Sequence, residues 1–304
     1  MRVYESLEEF SEPRSPLVLT IGNFDGMHRG HCTVLKKVIA TAGTEGQSAV
    51  LTFRNHPSEV LRPDQPIALL CSLPHRIRML EGFGIDDLIL LTFTRKLAQH
   101  NAAFFIENIR QTIPFTHLIL GHDATLGRDR QGDRSIMQEL ADQWGFSVQY
   151  IEEYRYEGKP VSSSRIRAAL QQGDLAQVEE LLDRPYSIYG RATKVAIAEK
   201  PEFPLFRFDL TGLCLPPFGV YIVEVMHGSK RHHGIASLSS GFPDPAQTQD
   251  KPCLFVHLID SDENMGDSML EVIFKSFVRP EIKFNDLEEF IRQIQLDIQG
   301  INQT

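Results

Sequence analysis

Residues 17 to 35 read LVLTIGNFDGMHRGHCTVL, and this stretch decides the fold of the N-terminal half of the chain. Leu17 to Ile21 is an almost continuously apolar run, which suits a strand buried on both faces better than one with a solvated side. It runs straight into a bend carrying Gly22, Gly26 and Gly30, and then into HCTVLKKVIATA at 31 to 42, whose apolar positions recur at helical spacing. A strand passing through a glycine-rich bend into a helix opens a βα unit. In an open α/β sheet that bend lies at the carboxyl edge of the strands, where ligands bind.

The pattern repeats outward from there. Strand-like runs recur as SAVLTF at 48 to 53, DLILLTF at 87 to 93, HLILGH at 117 to 122 and FSVQYI at 146 to 151, and helical stretches include PHRIRMLEGFG at 74 to 84 and NAAFFIENIRQ at 101 to 111. This alternation predicts an α/β fold with a doubly wound parallel sheet. Two more helices are expected, SSRIRAALQQG at 163 to 173 and DLAQVEELLD at 174 to 183, with Gly173 stopping the first. The character then changes near Arg184 to Gly190. Strands with turn signals follow at 218 to 225, 232 to 238, 253 to 260 and 269 to 278, with a long loop at 239 to 252 and an amphipathic helix at 286 to 299. The second domain therefore reads as a small antiparallel β-barrel with a C-terminal helix. The expected division is 1–185 and 186–304.

At 304 residues the chain exceeds the usual size of one core, and its 42% hydrophobic and 23% charged residues are ordinary for a globular protein. A net charge of -9 argues against nucleic acid as a partner, because coating phosphate over a large surface needs clustered Lys and Arg. The four cysteines, Cys32, Cys71, Cys214 and Cys253, have no zinc-ligand spacing, so reduced thiols are expected. The first residues carry four acids and no signal-peptide core, and no apolar run has the length of a membrane span, so a cytoplasmic protein with no membrane partner is expected.

The residue types at the first bend suit phosphate. Gly22, Gly26 and Gly30 let backbone approach a ligand, and the helix beginning near Gly30 offers unpaired N–H groups and a positive dipole end. His28 and His31 flank Gly30, each able to donate to phosphate oxygens above the turn. Packing alone would favour Leu or Val at those two positions.

These residues carry a resemblance. The segment looks like the HxGH signature of the nucleotidyltransferase superfamily, and the chain as a whole resembles the bacterial bifunctional riboflavin kinase/FAD synthetase family. That family's GxFDGxHxGH pattern is matched by Gly22, Phe24, Asp25, Gly26, His28, Gly30 and His31, and its FxPHP stretch by Phe53, His56 and Pro57, with Asn55 in place of the first Pro. Its GxDFxFG loop is matched by Gly121, Asp123 and Gly127, with Ala124 and Leu126 replacing two aromatics. Its SSTxIR motif is matched by Ser162, Ser163, Ser164 and Arg167, and RPY at 184 to 186 matches the junction between its domains. The resemblance implies an FMN adenylyltransferase: FMN attacks the α-phosphorus of ATP, with Mg2+ required, and FAD and pyrophosphate are formed. It implies catalytic roles for His28, His31 and Arg167. ATP would be bound by Gly22, Asn23, Phe24, Gly26, Gly30, Ser163 and Ser164, and flavin by His56, Pro57, Asp123 and Gly127. Protein ligands for the metal are not assigned.

The second domain keeps GVY at 219 to 221 and VRPEIKF at 278 to 284, which resemble elements of the family's kinase domain. It lacks the family's PTAN run between Gly190 and Pro216, and where the family's general-base Glu precedes a His by two residues, Phe255 precedes His257. Phe cannot accept a proton. The reading this favours is a FAD synthetase whose barrel has lost kinase chemistry. The alternative is a fully bifunctional enzyme that also phosphorylates riboflavin, with Glu271 or Asp209 in relocated roles. A third reading makes the barrel a module that binds flavin or a protein partner without catalysis.

Overall fold

The computed structural model describes residues 1–11, 13–195, 204–241, 251–259, 265–284 and 286–301. The chain forms two compact units, one of residues 1–68 and 76–163, the other of 69–75 and 164–304.

The first unit is built on a six-stranded sheet of β1 (Arg2–Tyr4), β2 (Leu17–Ile21), β3 (Gln47–Phe53), β4 (Asp87–Leu91), β5 (His117–Leu120) and β6 (Ser147–Tyr150), in the order β1-β4-β3-β2-β5-β6. Every pairing in it is parallel. Between the strands run α1 (Arg29–Ala42), α2 (Pro57–Leu61), α3 (Leu73–Phe83), α4 (Arg95–Ala98), α5 (Ala102–Thr112) and α6 (Arg134–Trp144), and a hairpin of β7 (Arg155–Tyr156) and β8 (Lys159–Pro160) follows. The parallel sheet expected from the alternating pattern is present. All five residues of β2 and all seven of β3 are buried, the polar Thr20, Gln47, Ser48 and Thr52 included, so neither strand shows the alternation of a half-solvated one.

Helices cover both faces. On one, Val34, Val38 and Ala42 of α1 pack against Val18 and Ile119. On the other, Phe105, Ile106 and Ile109 of α5 and Met137, Leu140 and Ala141 of α6 pack against Leu19, Leu51 and Leu118. Each Val, Leu, Ile, Phe or Met side chain taken fully out of water contributes about 1.5–3 kcal/mol. The short strand β1 has no counterpart in the sequence reading, because three residues carry no detectable period. A buried acid holds it: Asp87, inaccessible to solvent, accepts from Arg2 Nε at 2.8 Å and from the Gln47 amide.

From β2 the sheet grows through β3, β4 and β1 in one direction and through β5 and β6 in the other. The reversal leaves a crevice at the carboxyl ends of β2 and β5, the place where open α/β sheets bind ligands. The bend after Ile21 and the loop after Leu120 both open there.

In the second unit α7 (Ser163–Gln171, from Ser164 onward) and α8 (Leu175–Leu182) precede a closed barrel of β9 (Ser187–Val195), β10 (Leu205–Asp209), β11 (Gly219–His227), β12 (Lys230–Ser239), β13 (Cys253–Leu258) and β14 (Met269–Pro280), followed by α9 (Leu287–Ile301). The strand order is β10-β13-β12-β11-β14-β9, and closure leaves no open edge. The barrel and terminal helix agree with the sequence reading, but β9 and β10 were not anticipated. Arg191, Thr193 and Lys194 make β9 polar, and β10 is only five residues long. The loop expected at 239–252 lies largely outside the described residues.

Residues 69–75 join this unit through Leu69 N to Gly212 O at 2.7 Å, Cys214 N to Leu69 O at 2.7 Å, and Ser72 Oγ to Tyr189 O at 3.0 Å. Helix α9 is fixed by Phe290, Ile291 and Ile294 packed on Leu205, Val220, Ile235 and Phe255, and by a two-pronged pair of Arg279 with Asp297 at 2.9 and 2.7 Å. All four cysteines are unbridged. Among the described residues no helix is long and apolar enough to cross a membrane.

Candidate active site

The bend between β2 and α1 is conformationally demanding. Phe24 (φ 49°), Gly26 (φ 75°) and Met27 (φ 46°) all occupy the left-handed region, which costs a non-glycine residue about 1–3 kcal/mol and persists only where the surroundings enforce it. Several contacts enforce it here. Gly22 N donates to Leu51 O at 3.1 Å, Thr52 Oγ1 to Asn23 O at 3.4 Å, and Ser163 Oγ to Asp25 O at 3.1 Å.

His28 is the N-cap of α1, with Nδ1 accepting from His31 N at 3.3 Å. A neutral ring that accepts at Nδ1 carries its proton on Nε2, so His28 presents an N–H donor on its far side. The His28 and His31 rings stack with centroids 3.6 Å apart, and Phe24 meets His31 edge-on at 5.3 Å. A side chain at position 30 would put its Cβ 3.2 Å from the His28 ring, so Gly30 makes room for the stack. His31 Nδ1 is buried and has no hydrogen-bond partner among the described residues, as expected of a group that a ligand satisfies. Burial, followed by the neighbouring His28 and then Arg76, holds the His31 pKa well below its usual value, so the ring is neutral before substrate arrives.

The other sites predicted in this unit lie at the same sheet edge. His56, after β3, caps α2 by accepting from Ser58 N at 3.1 Å, with Pro57 in the first helical turn. Asn55, in the place of a proline, exchanges hydrogen bonds with the Phe93 backbone at 2.9 and 3.0 Å and so pins this turn to the end of β4. After β5, Asp123 is largely exposed, and His122 meets Glu153 at 3.3 Å. Gly127 (φ 75°) admits no side chain, since a Cβ there would come within 2.4 Å of Ala102 N. Ala124 and Leu126, where the resemblance expects aromatics, pack against the core.

Thus Gly22, Asn23, Phe24, Gly26, His28, Gly30, His31 and Ser163 form one cluster, with His56, Pro57, Asp123 and Gly127 on adjoining loops of the same edge. Ser164 and Arg167 fall in the second unit, on α7. Sequence reading missed Arg76. This α3 residue is 6% exposed and donates through Nη1 to Asn23 O at 2.5 Å and through Nη2 to Phe53 O at 2.6 Å. The signal was available, because position 76 lies on the same helical stripe as the buried Leu80.

In the barrel, Phe255 is 2% exposed and its ring lies 5.9 Å from that of Phe290. The β10–β13 register sets Arg207 opposite Phe255 and Leu205 opposite His257. His257 Nδ1 bonds Pro204 O at 3.0 Å. Asp209 caps its own turn through Thr211 N and Oγ1 at 3.0 and 2.7 Å, whereas Glu271 accepts from Ser187 Oγ at 2.8 Å and faces His75 Nε2 at 3.5 Å. Glu281 accepts from Ser240 N at 3.0 Å. Part of the segment in which the PTAN run was sought, 196–203, lies outside the described residues. Among the described residues no group of three or more His, Cys, Asp or Glu gathers to hold a metal ion.

Residues 11–165 match a family profile described as FAD synthetase, and residues 182–304 one described as riboflavin kinase. Curated relatives span nearly the whole chain. A protein of Pseudomonas fluorescens is 31% identical over 98% of this chain and 96% of its own length, and one of Escherichia coli K12 is 30% identical over 98% and 96%. One of Bacillus subtilis is 29% identical over 95% and 92%. All three are described as bifunctional riboflavin kinase/FMN adenylyltransferases. A solved structure titled a macrolide-efflux protein, from Streptococcus pneumoniae, superposes with a TM-score of 0.74 over 98% of this chain and 96% of that one. At 23% identity it supports the fold alone.

Proposed function

This chain belongs to the bifunctional riboflavin kinase/FMN adenylyltransferase family, and on that premise we propose that its N-terminal site transfers AMP from MgATP to FMN. The observation that carries this is the stacked His28 and His31 pair at the start of α1, with its buried, unsatisfied Nδ1, at the topological switch point of the sheet. A phosphate oxygen of FMN attacks the α-phosphorus. The bond from that phosphorus to the bridging oxygen breaks, and pyrophosphate leaves. The attacking oxygen is already anionic, so no base is needed, and the protein's task is alignment and charge stabilisation. His28 donates through Nε2–H. His31 is neutral beforehand, and the arriving triphosphate favours its protonation. Magnesium would arrive with the nucleotide and would neutralise charge on the triphosphate.

The resemblance assigns Arg167 to the triphosphate, where a guanidinium would fork onto two oxygens. Arg167→Lys keeps the charge and loses the planar fork, so KM for ATP is expected to rise by roughly tenfold with KM for FMN nearly unchanged. An ATP dependence equal to wild type removes Arg167 from the nucleotide site.

Matches to both profiles, and relatives described with both activities, support a two-activity enzyme better than a synthetase acting alone. A barrel without kinase activity is favoured by one observation, the burial of Phe255 under α9 at the position where the resemblance places the general base. Incubating the purified chain with MgATP and either FMN or riboflavin, then separating the flavins, tests both readings. FAD from FMN supports the adenylyltransferase, and its absence refutes it. FMN appearing with ADP from riboflavin supports the two-activity enzyme, and a blank there supports the silent barrel.

A further inference from the structure

Helix α3 carries a cation on its buried stripe, where an apolar residue would pack at no electrostatic cost. A buried guanidinium is costly unless it is hydrogen-bonded. The Arg76 fork lies across two main-chain carbonyls, those of Asn23 and Phe53, at 2.5 and 2.6 Å. Asn23 opens the left-handed bend of Phe24, Gly26 and Met27, and Phe53 closes β3. The two carbonyls thus belong to neighbouring strand ends at the edge where the histidines sit.

We propose that Arg76 is a positioning residue for adenylyl transfer, clamping the Asn23 and Phe53 carbonyls so that the bend holds the His28–His31 stack in its reactive placement. The inference rests on the adenylyltransferase reading of this site. Three further observations support it. The bend is in a conformation that non-glycine residues avoid, so it relaxes when a restraint is removed. Of the restraints on Asn23 O, Arg76 gives the short, charge-assisted bond and Thr52 a 3.4 Å one. The cation also stands close enough to His31 to oppose its protonation in the empty site, which couples the clamp to the reacting cluster.

The test compares wild type, Arg76→Met and Arg76→Lys for kcat, for KM with FMN and with ATP, and for melting temperature. Misplacing a catalytic group by about 1 Å costs on the order of 10²-fold. Arg76→Met is therefore expected to lose roughly 10²-fold in kcat with KM for FMN within about threefold, and Arg76→Lys, which keeps the charge but not the planar fork, to recover about tenfold of that loss. A folded Arg76→Met enzyme with kcat within twofold of wild type overturns the clamp. If Arg76→Met does not fold, Arg76→Lys decides: a folded protein with kcat about tenfold down and unchanged KM supports the clamp, and wild-type kcat overturns it. Wild type is assayed in parallel. A wild type that makes no FAD refutes the adenylyltransferase reading and the clamp with it, whereas an active wild type with indifferent variants refutes the clamp alone.

Discussion

His31→Ala is expected to lower kcat for FAD formation by roughly 10²- to 10³-fold, the scale of one lost electrostatic donor in a preorganised site. The ring stacks on His28 and meets Phe24 edge-on, so alanine removes both a donor and part of the packing that orients its partner. The backbone keeps its contribution, because His31 N still donates to His28 Nδ1 and alanine is a good helix former. Folding and FMN binding are therefore expected to change little. The loss should appear equally in kcat and kcat/KM, the pattern of an interaction made only in the transition state. Near wild-type turnover in a folded variant would take His31 out of the mechanism.

Phe255→Glu is expected to destabilise the barrel by about 3 kcal/mol or more, since emptying a buried aromatic site alone typically costs that much and a carboxyl group then enters an apolar cluster. The ring packs among Leu205, Cys253, Phe290, Ile291 and Ile294, on the face covered by α9. Two-step urea unfolding of the full chain, followed by circular dichroism, measures it. The barrel transition should move to lower urea while FAD formation from FMN survives. An unmoved transition would mean that α9 does not seal this face as described. The consequence for chemistry is direct. If the barrel phosphorylates riboflavin, its base is not at position 255, and of the relocated acids only Glu271 escapes use as a turn cap, although it is already engaged by Ser187 and His75.

The parallel sheet was legible because β2 and β3 are buried along their whole length, so their apolar residues run without the alternation of a half-solvated strand. The barrel was only partly legible. β11 and β13 announce themselves as apolar runs, but β9 carries Arg191, Thr193 and Lys194 outward, and β10 is short. That two histidines flank a glycine at a helix start was readable from the spacing of the strand, the bend and the helix. Their stacking, the lone-pair role of His28 Nδ1 and the tightness around Gly30 were not, since these depend on ring orientation. For Arg76 the sequence offered only its place on the helical stripe of Leu80; its partners are main-chain carbonyls, which leave no trace in side-chain identity. Asn55 likewise looked like a lapse from a motif, yet its amide takes over the restraint of a proline by bonding the Phe93 backbone in both directions.

The central claim is that the stacked histidines serve transfer of the α-phosphorus of ATP to the phosphate of FMN. The most direct measurement is the fate of isotope in a single incubation of the chain with FMN and ATP labelled at either the α- or the γ-phosphorus. The account predicts α-label in FAD and γ-label only in pyrophosphate, with both transfers falling together in His31→Ala. Flavin that acquires γ-label from ATP when FMN is supplied, or FMN recovered unchanged beside intact ATP, would contradict it.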